Sequence, residues 1–190
     1  MGADRMGSSF GEQRDRIAER GLIGVIDVGS NSIRLVVFED GARSPDYVFN
    51  EKTICRLGDG MADTGRLNPE GRVRAAAALR RFTGLTNRMG VAKLITVGTA
   101  ALREAEDGPE FRDQVLAETG VNIRVATGRE EANLAAQGVL LGWPNVEGII
   151  ADIGGSSLEL AHVSNGTILS AVSTPAGHLR MGEGAGGQGQ

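Results

Sequence analysis

The feature of this sequence that most restricts its fold is a hairpin template used twice. Residues 25–41, VIDVGSNSIRLVVFEDG, read as a strand, a sharp polar bend and a second strand. From residue 151, ADIGGSSLELAHVSNG follows the same template at constant offset: Asp27 over Asp152, Gly29 over Gly154, Ser32 over Ser157, Leu35 over Leu160, Gly41 over Gly166. A chain that builds one acid-and-glycine bend twice can set two like turns on either side of a gap.

A glycine just after a strand lets the backbone turn tightly and bring successive N–H groups to bear on an anion. Ser30, Asn31 and Ser32 in the first bend, and Gly155, Ser156 and Ser157 in the second, add further donors. The aspartate ahead of each bend repels a bare phosphate, which makes sense with a divalent cation, or its bound water, in between. Plain hairpin turns use the same residue types, so the matched pair, rather than either copy, points to phosphate.

The chain has 190 residues, 41% of them hydrophobic, enough for one substantial core or one core and part of a second. A formal charge of −4 argues against a nucleic-acid footprint. The basic residues are mostly arginine, which suits bidentate phosphate contacts. No apolar run is long enough to span a bilayer and residues 1–20 lack the apolar stretch of a secretory signal, so the expected setting is cytoplasmic, away from membranes. One cysteine, Cys55, read as a small half-buried strand residue, and two histidines rule out a disulfide framework or a cysteine- or histidine-based metal centre. There is no G-x-x-x-x-G-K-[ST] loop, and neither histidine sits near a nucleophile elbow.

Residues 1–20 are polar and aperiodic and read as a loose tail with a short frayed helix near its end. Strands are expected over 22–28, 33–38 and 47–54, with Asp40 and Gly41 turning the chain. Asn68 and Pro69 mark a helix start, and Ala75, Ala78, Leu79, Phe82, Leu85 and Met89 form its apolar stripe up to Gly90. A strand over 93–98, two short helices, a strand in VNIRVA and a helix over about 129–141 follow; Asn165-Gly166 then signals a hairpin. The order indicates an α/β domain on a mixed sheet.

The two bends resemble the phosphate loops of the exopolyphosphatase and guanosine pentaphosphate phosphatase family, within the actin, heat-shock chaperone and sugar kinase superfamily. RLGDGM, VGTAALREA and GREEAN stand between them in the family's order, and the likeness runs from about residue 22 to 181. It implies a ribonuclease H-like, actin-like ATPase fold: a first domain over 21–134, the start of a second over 135–181, and a disordered tail at 182–190. Relatives continue through a whole second domain, so the expectation is a truncated member whose strands over 147–173 have an incomplete core.

The resemblance also implies roles. Glu131 falls at the catalytic carboxylate that would position or deprotonate the attacking water; Thr127 and Glu130 have capping-box spacing, which gives Glu130 another task. Asp27, Gly29, Ser30, Asn31, Ser32, Arg103, Gly154, Gly155, Ser156 and Ser157 would contact phosphate, with Arg56 a weaker candidate. Asp27, Asp152 and Glu159 would surround Mg2+ or another divalent cation. The implied activity is removal of terminal orthophosphate from inorganic polyphosphate or from pppGpp, and the implied partners are polyphosphate or guanosine penta- or tetraphosphate. The rivals are an inactive phosphate-binding lobe and an ATP-dependent sugar kinase-like protein; a homodimer stays open. Ser156 departs from the family's third glycine, and a positive φ there would cost on the order of 1 kcal/mol.

Overall fold

The structure is a computed structural model and describes residues 21–40 and 47–179. The two expected tails and the turn at Gly41 lie outside the described residues.

The first half is an open, five-stranded mixed sheet in the order β3-β2-β1-β4-β5. β1 (Leu22–Val28), β2 (Ser32–Glu39) and β3 (Tyr47–Ile54) form an antiparallel meander, and β4 (Val91–Gly98) and β5 (Arg124–Val125) add in parallel on the other side of β1. This is the ribonuclease H-like arrangement expected. β5 is only two residues long, although the sequence reads as a longer strand. The Ile123 side chain is fully buried, and the Ile123 carbonyl accepts from Arg112 Nε at 3.1 Å instead of from a strand.

A single helical turn, α1 (Met61–Thr64), precedes the principal helix, α2 (Pro69–Arg88). Asn68 caps α2 as its sequence predicts: its side chain accepts from Gly71 N at 2.8 Å, and Pro69 occupies the first turn. Ala75, Ala78, Leu79 and Phe82 are buried against the sheet, with Leu85 and Met89 packed at the margin. The arginines of α2 point elsewhere, Arg72 to Asp107 (3.0 Å) and Glu110 (2.9 Å), Arg80 to Glu118 and Arg81 to Glu51. α3 (Ala100–Glu104) and α4 (Gly108–Thr119) follow β4. Cys55, expected half-buried in a strand, is instead fully buried just past β3, where its amide turns to the Asn31 carbonyl.

The second half begins in α5 (Gly128–Gly142), and the expected boundary between residues 134 and 135 falls inside this helix. β6 (Gly148–Ile153), β7 (Leu158–Ser164) and β8 (Thr167–Thr174) form an antiparallel sheet in that order. Asn165 and Gly166, at φ 47° and 71°, make the β7–β8 hairpin turn, where two successive positive values match the twist of the strands. Ala136 and Leu140 of α5 pack on Ile150, Ala161, Val163 and Ile168. The other face, with Ile149, Ile153, Leu169 and Val172 all more than half exposed, is uncovered among the described residues.

Both bends, at the β1–β2 and β6–β7 turns, lie where strands end and helices begin, the side of an α/β sheet on which ligands collect. Phe82→Ala, which empties a fully buried aromatic site, is expected to cost about 3–5 kcal/mol in urea unfolding. Val73→Ala, on the outer face of the same helix, should cost no more than about 0.5 kcal/mol.

Candidate active site

The two bends are built alike. Gly29 N donates to Ser32 O at 3.0 Å, and Gly154 N donates to Ser157 O at 2.9 Å, so each glycine amide closes its own turn. The next peptides are held from behind by their carbonyls. Gly58 N donates to Ser30 O (2.8 Å), while Cys55 N (2.9 Å) and Arg56 N (2.8 Å) converge on Asn31 O. In the second bend His178 N donates to Gly154 O (3.1 Å) and Leu179 N to Gly155 O (2.9 Å). A trans peptide sets its N–H opposite its C=O. The amides of Asn31, Gly155 and Ser156 therefore point away from these anchors, and among the described residues they have no acceptor.

The anchors impose local constraints. Arg56 sits at φ 57°, a left-handed conformation costly for a side-chain-bearing residue, which lets two successive amides reach one carbonyl. Gly177 lies so close to the second bend that a Cβ there would stand 2.3 Å from Gly155 O. His178 adds a ring contact, its Nδ1–H donating to Gly154 O at 2.8 Å; a carbonyl only accepts, so the proton is on Nδ1. Ser156 is not among the residues with positive φ, so the cost expected from the missing third glycine is not incurred.

The bends face each other. A Cβ on Gly155 would meet Ser30 Cβ at 3.1 Å and Asn31 N at 3.4 Å. Together they line a cavity of about 310 Å³ with Asp27, Ser32, Lys52, Thr99, Glu131, Asp152 and Glu159. Every expected site residue lines it except Arg103, and Arg56 does not line it either.

Arg103 stands behind Glu131 instead. Its Nη1 pairs with the Glu131 carboxylate and donates to Ala126 O at 2.9 Å. The helix start fixes the other acid: Thr127 Oγ1 accepts from Glu130 N (3.2 Å) and Thr127 N donates to Glu130 Oε2 (2.8 Å). The capping box thus holds Glu130 outside and leaves Glu131 facing the cavity. Burial raises the Glu131 carboxyl above the ordinary range; the pairing with Arg103 opposes this, and the negative charges of Glu159 and Asp27 add to it.

Asp27 and Asp152 project from opposing lobes. Asp27 keeps a solvent-open side along the cleft, but protein on its other sides strips enough water to raise its carboxyl. Asp152's charge pushes the same way, while Arg34 and Lys52 oppose. Glu159 is buried and accepts from Ser173 Oγ at 2.7 Å. Among the described residues no three His, Cys, Asp or Glu side chains make a closed metal-ligand set, so Asp27, Asp152 and Glu159 do not form one by themselves. No helix among the described residues is long and apolar enough to cross a membrane. The sequence did not single out Lys52, Thr99 or His178 as site residues: Thr99 lies within VGTAALREA, just past the end of β4, while Lys52 and His178 enter the cavity through strand register and chain return.

Comparison with known proteins decides the family. The family model described as Ppx/GppA phosphatase matches residues 36–185. The chain belongs to the Ppx/GppA phosphatase family. It is 30% identical over 163 residues to exopolyphosphatase 1 of Mycobacterium bovis, covering 84% of this chain and 47% of that one. Against exopolyphosphatase 2 of Mycobacterium tuberculosis it is 31% identical over 172 residues, covering 85% of this chain and 54% of that one. The crystal structure of an exopolyphosphatase from Cytophaga hutchinsonii superposes with a TM-score of 0.81 at 29% identity, over 87% of this chain and 54% of that one. The Aquifex aeolicus PPX-GPPA enzyme gives 0.76 at 27% identity, over 88% and 56%. The chain thus spans about half the length of the Ppx/GppA relatives it matches.

The folded state holds the Asp27 proton more tightly than the unfolded chain does, so Asp27 costs stability as pH rises from the ordinary carboxylate range through its raised value. The cost is fully present above that window. Asp27→Asn is expected to raise Tm at neutral pH, with a gain that shrinks as pH falls into the ordinary carboxylate range, read by thermal denaturation.

Proposed function

We propose that this chain carries the phosphate-binding and catalytic site of a phosphohydrolase that releases terminal orthophosphate from inorganic polyphosphate, with pppGpp as the second candidate substrate. The observation that carries this reading is the pair of bends whose carbonyls are tied back and whose amides have no acceptor among the described residues, facing each other beside Glu131. Free amides fixed before substrate arrives supply charge stabilisation without reorganisation. The names of the 30–31% identical relatives, exopolyphosphatases, favour polyphosphate.

In the proposed reaction Glu131 accepts a proton from water as its oxygen forms a bond to the terminal phosphorus and the bridging P–O bond breaks, releasing orthophosphate and a chain shorter by one phosphate. A carboxylate with a raised pKa is a stronger base than an ordinary one, which suits this role. Arg103 is a positioning residue, fixing the Glu131 carboxylate against the Ala126 carbonyl. The amides of Asn31, Gly155 and Ser156, with the hydroxyls of Ser30, Ser32 and Ser157, would hold phosphate oxygens. Gly29 and Gly154 would serve by shaping the turns.

The donor set fits a divalent cation shared with substrate. Four carboxylates, Asp27, Glu131, Asp152 and Glu159, line the cavity against one lysine, an imbalance that would repel a polyanion. Magnesium is commonly bound through one or two carboxylates plus substrate phosphates, so a closed protein ligand set is not needed. Asp27 and Asp152 would hold the ion and Glu159 would support Asp152, its neighbour across the β6–β7 ladder. When bound, the ion would supply charge neutralisation on the phosphate oxygens.

Glu131→Gln is expected to lower orthophosphate release by about 10²–10⁴-fold while polyphosphate binding persists. An unchanged rate would contradict the assigned role. A wild-type chain that binds polyphosphate but releases no orthophosphate would identify the inactive phosphate-binding lobe.

A further inference from the structure

We infer that Lys52 holds a non-reacting phosphate of the substrate chain, making it a binding residue that sets affinity for linear condensed phosphate. The inference rests on the phosphohydrolase reading and extends it to how the substrate beyond the scissile bond is recognised.

Strand register supplies the first argument. Asp27 pairs with Arg34 across β1–β2, and Arg34 pairs with Lys52 across β2–β3. Directly paired residues in antiparallel strands share a face, so the three form one row across the sheet. The second lobe repeats the geometry: Asp152 pairs with Glu159, and Glu159 pairs with Ser173. The charges differ. The first-lobe row reads acid, cation, cation, and the second reads acid, acid, hydroxyl. The first lobe therefore sets a cation in the same row as its acid, which the second lobe does not.

The second argument separates the two cations. Arg34 Nε donates to Asn50 Oδ1 at 2.8 Å, and Arg34 does not line the cavity. Lys52, one strand further out, does line it, and it is the sole lysine or arginine among the lining residues. The Lys52 side chain makes no hydrogen bond or ion pair with any described residue; its backbone pairs with Arg34 across the sheet, and its charge acts on Asp27. Other arginines are engaged within the protein: Arg103 with Glu131, Arg74 with Cys55 O, Arg81 with Glu51. Lysine occurs only at positions 52 and 93 in a chain whose other basic residues are arginines. A flexible four-carbon stem ending in three rotatable donors can follow successive phosphates, where a planar guanidinium fork would favour one orientation.

The chemistry follows from the charge imbalance. The amides stabilise the phosphate seated between the bends, and the carboxylates call for a cation. The phosphates further along a chain have no other lining cation to meet among the described residues. A group that binds the remote part of the substrate equally in the ground and transition states changes KM and leaves kcat nearly unaltered.

The test uses the 190-residue chain with magnesium and linear polyphosphate of defined length, comparing wild type with Lys52→Gln, Lys52→Arg and Lys52→Glu. Expected for Lys52→Gln is a KM raised by about five- to twentyfold with kcat within about twofold, a weaker dependence on salt, and partial recovery in Lys52→Arg, whose charge is kept but whose fork is less adaptable. Lys52→Glu should weaken binding further. Direct titration with the same polyphosphate gives a readout independent of turnover, and the dissociation constants should follow the same order. Equal affinity in wild type and Lys52→Gln overturns the inference and leaves the phosphohydrolase reading standing. A lowered Tm with unchanged affinity also overturns it, assigning Lys52 the structural task of offsetting Asp27. A wild-type chain that neither binds nor hydrolyses polyphosphate overturns both.

Discussion

The site depends on the way four backbone carbonyls are tied back. Ser30 and Asn31 give their carbonyls to the 55–58 segment, and Gly154 and Gly155 give theirs to 178 and 179. Each bond satisfies an acceptor and, through the planarity of the peptide, aims a donor the other way. Without those anchors the bends would be ordinary turns free to rotate their peptides. The fold accepts strain for this arrangement at Arg56 and requires bare backbone at Gly177, where even a methyl group would collide with the second bend.

Electrostatics give the cleft two unlike walls. Asp27, Asp152, Glu159 and Glu131 converge from both lobes; burial chiefly raises the carboxyls of Asp27 and Glu131, and the neighbouring negative charges add to it. Such crowding is unfavourable in the protein alone and becomes useful where a cation and a polyanion arrive together, each compensating what repels the other. The helix that delivers Glu131 also packs the second sheet through Ala136 and Leu140. One element thus couples the proposed base to the lobe that carries Asp152 and Glu159.

Much of this was legible in the sequence where the physics is local. Asn68-Pro69 capping α2, the Thr127–Glu130 capping box, the Asn165-Gly166 turn and the matched bends are short-range patterns that the structure reproduces. The capping box also explains why Glu131, rather than its neighbour, reaches the cavity. What local pattern does not carry is long-range pairing. Arg103 was expected beside phosphate but sits behind Glu131, because Ala126 O and the carboxylate capture its guanidinium across a fold-dependent distance. Lys52 depends on the register of β2 against β3, and His178 on the return of the chain after β8. β5 is only two residues long, and the carbonyl just ahead of it, that of Ile123, accepts from the Arg112 side chain. One face of β6–β8 exposes Ile149, Ile153, Leu169 and Val172 among the described residues.

The central claim is that three amides, those of Asn31, Gly155 and Ser156, are preset donors for one anion. Amide chemical-shift mapping by NMR during titration with inorganic tripolyphosphate and magnesium tests it most directly. The account predicts saturable shifts at these three amides together, from both lobes at one affinity, with Gly29 and Gly154 moving little because their protons are already bonded within the turns. Shifts confined to one lobe, or spread over surface arginines while the three amides stay still, would contradict it.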